Sequence, residues 1–112
     1  MQLAPLSEFD YHATLARTHG ASLVLFGSPG CGTCRKVKNL LPAAAGSSVA
    51  ALFKVDVQQA TALARQYALF HLPALFLYRN GQFHAELHCA VTPVALQQAI
   101  NDALAKPAQE EP

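Results

Sequence analysis

Hydrophobic positions along the chain follow two spacings, which predict buried strands alternating with amphipathic helices. Residues 22–26 (Ser-Leu-Val-Leu-Phe) are almost entirely apolar, as in a strand that is covered on both faces. Apolar residues spaced three or four apart predict helices in the segments between the strands. The predicted helices span residues 7–17, 31–41, 58–67 and 93–104, and the predicted buried strands span residues 22–26, 50–57 and 74–78.

Residues with strong capping and breaking preferences separate these elements. Ser7 and Thr92 each precede a helical segment and can cap it through the side-chain oxygen. Pro42 is expected to close the second helix, because proline lacks the N–H that a helix interior needs. Residues 43–48 are small and polar and are predicted to form a loop.

A hairpin is predicted at Asn80-Gly81, a dipeptide that favours tight turns between antiparallel strands. The residues that follow alternate between apolar and polar, which predicts an antiparallel edge strand over residues 82–89 with one wet face. The apolar side is expected to carry Phe83, Ala85, Leu87 and Cys89, and the wet side His84, Glu86 and His88.

The order of the elements predicts an α/β domain with a mixed central β-sheet flanked by helices on both faces. Strands alternate with helices in the first half, which is typical of parallel pairing, and the closing hairpin adds antiparallel pairing. A short additional strand is expected near residues 2–4. We expect one domain over residues 1–105, followed by a flexible, acidic C-terminal tail at residues 106–112.

Composition and charge exclude several classes of function for this chain. The 112 residues are 52% hydrophobic and only 13% charged, so the chain is globular rather than disordered. A formal net charge of +1 is too small for nucleic-acid or membrane binding through electrostatics, and no apolar run approaches the length of a membrane span. No basic region followed by an apolar stretch marks a signal peptide, and three cysteines do not form a secreted disulfide framework. We therefore expect a cytoplasmic protein with no nucleic-acid or membrane partner, and we further expect a monomer.

The clearest chemistry belongs to Cys31 and Cys34, which form a C-x-x-C motif directly after a predicted strand. Cys31 opens a predicted helix, where unpaired backbone N–H groups and the helix dipole stabilise a thiolate. Arg35, Lys36 and Lys38 add positive charge nearby. Such a pair performs thiol–disulfide exchange: Cys31 attacks a substrate disulfide, and Cys34 resolves the mixed disulfide that forms.

Two other interpretations of the cysteine pair are an inert buried pair and half of a zinc site. Zinc needs four ligands, and the chain has no second C-x-x-C motif, so we expect no metal site. The remaining candidate ligands are Cys89, His71, His84 and His88.

These segments together resemble the thioredoxin family over residues 6–104. The resemblance rests on the strand 22–26, residues 28–34 (SPGCGTC), residues 54–57 (KVDV), the pair Leu72-Pro73 and residues 75–82 (LFLYRNGQ). It implies a thioredoxin fold and a protein-disulfide oxidoreductase that works without a cofactor. It also implies protein disulfides as substrates, with a thioredoxin reductase or the glutathione system as the source of electrons.

The resemblance further implies a substrate-binding surface around the cysteine pair. In this family the proline that matches Pro73 is cis and faces the cysteines, where it discourages metal binding. The residue that matches Leu72 lends its backbone to an extended substrate segment, and Cys89 matches a glycine on the neighbouring loop. The implied substrate-binding residues are Gly30, Gly32, Thr33, Leu72, Pro73 and Cys89.

Several positions depart from thioredoxins proper. Leu25 stands where the family has a buried Asp, and Leu52 is matched to the lysine near that Asp. The acid–base pair that helps to deprotonate the resolving cysteine is therefore expected to be absent. Gly30 replaces a Trp, Thr33 replaces the proline of C-G-P-C, and Asn39 replaces a helix-kinking proline. These changes leave two other functions open: a thioredoxin-fold binding module with little redox turnover, and metal or iron–sulfur handling by the two cysteines.

Other polar residues receive structural interpretations. Cys89 is interpreted as a small residue that completes the apolar side of the edge strand, with a modifiable thiol as the alternative. His71 is interpreted as a surface residue, with tuning of the cysteines as the alternative. His84 and His88 are interpreted as solvated, with weak metal binding by the pair as the alternative, and Asp56 is interpreted as a helix cap.

Overall fold

Five strands form one mixed sheet in the computed structural model, which describes residues 2–112. The strands are β1 (Ala4–Pro5), β2 (Ala21–Gly27), β3 (Ala51–Asp56), β4 (Ala74–Arg79) and β5 (Gln82–Leu87). The helices are α1 (Tyr11–Ala16), α2 (Gly32–Ala45), α3 (Thr61–Gln66) and α4 (Pro93–Leu104), and a 3₁₀ turn at Gly46–Ser48 follows α2.

The strands lie in the order β1-β3-β2-β4-β5. β1, β3 and β2 are parallel, whereas β4 is antiparallel to both β2 and β5. This arrangement confirms the predicted α/β domain with a mixed sheet. Within residues 2–112, no helix is both long enough and apolar enough to cross a membrane.

The sheet is covered on both faces, which explains why β2 is apolar along its whole length. Successive side chains of a strand point to opposite faces. Leu23 and Leu25 therefore share one buried cluster with residues of α2 and α4. Val24 and Phe26 share the other with residues of α1 and α3.

The prediction that Pro42 ends the second helix is wrong, because α2 continues to Ala45. Ala44 and Ala45 are buried in the cluster that α2 shares with β2, and this burial favours the extra turn despite the missing N–H of proline. The helix ends instead at Gly46, whose φ of +52° suits glycine. The predicted loop over residues 43–48 is therefore mostly helical.

α1 and α3 are shorter than predicted, because polar side chains cap turns in front of them. The Ser7 hydroxyl accepts hydrogen bonds from the backbone N–H groups of Phe9 and Asp10, and α1 begins at Tyr11. The Asp56 carboxylate accepts one from the N–H of Gln58. Asp56 therefore caps a turn rather than α3. By contrast, Thr92 caps α4 as predicted, since its hydroxyl accepts a hydrogen bond from the N–H of Ala95 at 3.1 Å.

The predicted alternation along the edge strand is interrupted by a bulge. The register with β4 shifts between Leu77 and Tyr78, so Phe83 packs on the opposite face of the sheet from Ala85 and Leu87. The prediction that His84 is solvated is wrong, because its side chain is buried. Its ring Nε2 lies 2.7 Å from the carbonyl oxygen of Ala103 in α4.

The C-terminal tail lies along β5 and contacts the body of the domain. The N–H of Gln109 donates to the carbonyl of His84 at 2.7 Å, and the Gln109 side chain accepts from the N–H of Glu86. The Glu111 carboxylate accepts from the hydroxyl of Tyr67 at 3.0 Å. The tail thus covers part of the sheet edge, and its flexibility stays a prediction.

Candidate redox site

Cys31 occupies the N-cap position of α2, where the chain changes from extended to helical backbone. Its Sγ accepts a hydrogen bond from the N–H of Cys34 at 3.1 Å, so one of the free donors at the helix start already points at this sulfur. The Cys31 carbonyl accepts the first helical bond, from the N–H of Arg35. The side chain is partly exposed. This position favours a thiolate that can reach a substrate.

Cys34 lies one turn into α2 and forms a disulfide bond with Cys31. The Cα atoms are 5.2 Å apart, a separation typical of disulfides. Cys34 is only 6% exposed, so a bulky substrate reaches Cys31 more easily than Cys34. Cys31 is thus the more accessible cysteine of the pair.

Gly27 controls the space behind Cys34. A Cβ added at Gly27 would lie 3.0 Å from Cβ and 3.1 Å from Sγ of Cys34. Both distances are shorter than ordinary contacts, so the end of β2 and the first turn of α2 pack together only because residue 27 has no side chain. Sequence reasoning missed this role, since the signal is an approach between two elements.

The predicted substrate-binding residues fall into two groups. Gly30, Gly32 and Thr33 surround Cys31 at the exposed tip of α2. Pro73 and Cys89 line a cavity of about 290 Å³, together with residues that include Val37 of α2.

Pro73 of this cavity is preceded by Leu72, and the two residues share an unusual backbone geometry. Leu72 is partly buried and packs against the buried cluster that contains Val24 and Phe26. The Leu72–Pro73 peptide bond is cis.

Cys89 is exposed and lies beyond the end of β5, so it does not complete the apolar side of that strand. Partial burial raises the pKa of the Cys89 thiol above its usual value. Cys89 is therefore a weaker nucleophile at neutral pH than an unperturbed cysteine would be.

Leu25 lines a cavity of about 700 Å³ whose wall also includes Cys34 and Lys54. Leu25 is paired with Lys54 across β2 and β3, whereas Leu52 is paired with Leu23. The β3 residue in register with Leu25 is therefore Lys54, and the matching of Leu52 to the family lysine stays a prediction. Lys54 thus borders the same cavity as Cys34, and its register partner at position 25 is not an acid.

The histidines lie away from any group of metal ligands. His71 is exposed, and His88 is 80% exposed with its Nε2 3.6 Å from the carboxylate of Glu86. Over residues 2–112, no group of three or more His, Cys, Asp or Glu side chains is placed to hold a metal ion.

The match to a known protein family covers nearly all of the chain. A family model described as Thioredoxin matches residues 2–102. The match includes both cysteines, Leu72 and Pro73.

Two curated relatives have similar sequences. Thioredoxin-2 of Saccharomyces cerevisiae is 29% identical over 100 residues, which cover 88% of this chain and 93% of the yeast protein. Protein disulfide-isomerase A5 of Bos taurus is 33% identical over 86 residues, which cover 71% of this chain but only 16% of the isomerase. The chain is thus similar to a small part of that relative.

Solved structures share the fold at low sequence identity. The zinc-bound form of human ERp44 has a TM-score of 0.75 and 20% identity, covering 90% of this chain and 31% of that one. A chain from a study of the thiol resolving mechanism in yeast mitochondrial 1-Cys peroxiredoxin has a TM-score of 0.74 and 18% identity. That match covers 89% of this chain and 94% of that one.

Proposed function

The chain belongs to the thioredoxin family, and on that premise we propose that it exchanges disulfides with protein substrates through Cys31 and Cys34. The observation that carries the proposal is the asymmetry of the pair. Cys31 lies partly exposed at the start of α2, and Cys34 lies buried one turn behind it within bonding distance.

The reaction starts from the reduced pair. The Cys31 thiolate attacks one sulfur of a substrate disulfide, and the other substrate sulfur leaves as a thiolate. Cys34 then loses its proton and attacks Cys31 Sγ, which releases the second substrate thiolate and closes the Cys31–Cys34 disulfide. Electrons from a reductase or from glutathione restore the dithiol, and we place this cycle in the cytoplasm, with the protein acting as a monomer.

The substrate segment is proposed to bind beside Pro73. The partly buried Leu72 presents its backbone next to that proline, and an extended segment can pair with it as an additional short strand. Gly30 supports this proposal, because the space around it is open: a Cβ built there meets no atom within 4 Å.

Trapping of mixed disulfides tests the assignment. In a Cys89→Ser background, Cys34→Ser should accumulate a covalent complex with a protein disulfide such as insulin, whereas Cys31→Ser should not. Non-reducing electrophoresis with mass spectrometry measures both. Equal trapping by the two variants would contradict the assigned roles.

A second candidate function is a binding module with little turnover. Leu25 favours it, because no carboxylate occupies that position beside Cys34 to accept its proton. Catalysed reduction of insulin by dithiothreitol distinguishes the two functions. A rate no higher than that of the Cys31→Ser variant would support the binding module.

A further inference from the structure

The outer edge of β5 carries backbone groups that no strand of the sheet uses. β5 is the last strand in the order β1-β3-β2-β4-β5 and pairs with β4 alone. An edge strand leaves the N–H and C=O groups of alternate residues free to pair with another chain. In β5 these groups include the carbonyl of His84 and the N–H of Glu86, which contact the C-terminal tail and therefore face away from β4. The edge of β5 can thus accept one more extended segment.

Residues 106–112 occupy this edge and satisfy both groups. The N–H of Gln109 donates to the carbonyl of His84 at 2.7 Å. The side-chain oxygen of Gln109 accepts from the N–H of Glu86 at 3.1 Å. One residue of the tail therefore supplies a donor and an acceptor to two positions of the strand, as the backbone of an additional strand would.

The tail also carries a carboxylate to a buried tyrosine. The Glu111 carboxylate accepts a hydrogen bond from the hydroxyl of Tyr67 at 3.0 Å. Burial raises the pKa of the Tyr67 phenol above its usual value, so the hydroxyl stays protonated and able to donate. Side chains two residues apart on an extended chain point the same way, and Gln109 and Glu111 both contact the domain. Glu110 lies between them, and no hydrogen bond joins its side chain to the rest of residues 2–112.

Hydrogen bonds, rather than buried apolar surface, hold the tail in this position. Residues 105–112 are all exposed, so the tail buries little apolar surface against the domain. Each hydrogen bond replaces one with water and stabilises the contact only modestly, and ordering the tail costs conformational entropy. The tail is therefore an occupant that a competing segment can displace.

We propose that the edge of β5 and the Tyr67 hydroxyl form a docking site for an extended acidic segment of another protein, which displaces the tail. We call His84, Glu86 and Tyr67 the β5 edge site. Adding a strand to a sheet edge is a recurring mode of peptide recognition, in which main-chain hydrogen bonds supply affinity and side-chain contacts supply specificity. The tail shows the chemistry that the partner needs, namely a backbone N–H for His84 and a carboxylate two residues later for Tyr67. The inference does not rest on the proposed redox function.

Binding is tested with the full chain and a synthetic peptide of residues 105–112 as the probe. The double variant Gln109→Pro/Glu111→Gln removes the contacts of the chain's own tail and frees the β5 edge site, whereas Glu110→Gln is the matched control that leaves it covered. In nuclear magnetic resonance titrations, the peptide should shift the Glu86 amide signal of the freed variant with a Kd of ~1 mM or tighter. In the wild-type protein and the control, the tethered tail competes at a millimolar effective concentration, so binding should be about threefold weaker or more.

Changes in the peptide test how the segment is recognised, with the freed variant as the receptor. Glu111→Gln in the peptide should weaken binding by about fivefold, because a charged acceptor is lost, and Glu110→Gln should not. The first effect should disappear when the receptor also carries Tyr67→Phe, and this double-mutant cycle separates the contact from any loss of stability. N-methylation of the peptide at Gln109 removes the donor to His84 and should weaken binding by about tenfold, whereas N-methylation at Glu110 should have little effect.

A saturable shift of the Glu86 amide that depends on Glu111 of the peptide supports the inference. The absence of a saturable shift in the freed variant, or equal weakening by Glu110→Gln and Glu111→Gln, overturns it. Dimerisation of the freed variant in sedimentation experiments would also overturn it, because the edge would then pair with a second copy of the chain. Each readout is binding rather than turnover, so failure here leaves the proposed disulfide exchange untouched, and failure of mixed-disulfide trapping leaves the docking site untouched.

Discussion

Replacing Leu25 with aspartate asks whether a base beside Cys34 limits turnover. Leu25 is 4% exposed, shares a cavity wall with Cys34 and is paired with Lys54. Losing its buried apolar surface costs about 2 kcal/mol. Desolvating a carboxylate costs several kcal/mol more, which the neighbouring ammonium of Lys54 offsets in part. We expect the free energy of unfolding to fall by about 3 kcal/mol.

Urea unfolding measures this loss. With a slope of about 1.5 kcal/mol per molar urea, the midpoint should fall by about 2 M. Leu25→Asn provides the matched control, because asparagine has nearly the same shape and is not a base. Adding Lys54→Met to Leu25→Asp should lower stability further, and a double-mutant cycle should give a coupling of about 1–3 kcal/mol between the two side chains.

The same variant should be the faster enzyme. Its carboxylate can accept the proton of the Cys34 thiol, so insulin reduction at pH 7 should accelerate by about tenfold or more over Leu25→Asn. The gain should shrink at alkaline pH, where Cys34 loses its proton to solvent. Unchanged stability would mean that Leu25 is not buried beside Cys34. Equal rates for the aspartate and asparagine variants would mean that proton transfer from Cys34 is not limiting.

Three further substitutions or measurements follow from individual contacts. Ser22→Ala should raise the free energy of unfolding by about 1 kcal/mol, because the Ser22 hydroxyl is fully buried without a hydrogen-bond partner in the described structure; urea unfolding checks this. Gly27→Ala should lower stability by about 1–3 kcal/mol, and more in the oxidised than in the reduced protein, because only the free Cys34 thiol can rotate away from the new methyl group. Gly30→Ala is its control, since its Cβ meets nothing, and a similar loss in both variants would argue against the close contact. The reduction potential of the Cys31–Cys34 pair, measured in glutathione buffers, should lie above about −270 mV, the value of thioredoxin, because the motif proline is missing; a value at or below it would refute the expectation.

Local patterns were sufficient for the elements that frame the site. β2 is apolar along its length because helices cover both of its faces, and that burial is visible in the sequence itself. The cysteine pair, the Asn80-Gly81 hairpin and the Thr92 cap are likewise short-range signals, in which the deciding atoms lie within a few residues of each other.

Features that depend on packing between distant elements could not be predicted. Local rules identify Pro42 as a helix breaker. α2 nevertheless continues beyond it, because the burial of Ala44 and Ala45 stabilises the extra turn. The bulge opposite Leu77 reverses the orientation of Phe83, and no composition signal marks it. His84 is polar by type, yet it is buried because the end of α4 offers it a carbonyl.

The position of Lys54 shows why register matters for the chemistry as well as for the fold. Parallel strands are joined by long crossovers, so nothing local fixes which residue of β3 stands beside Leu25. A shift of one residue would turn Lys54 to the other face of the sheet. In the observed register the side chain of Lys54 borders the same cavity as Cys34 and Leu25. An aspartate placed at position 25 would have a lysine as its register partner on β3, so the pairing of the two charges depends on this register and on no local signal.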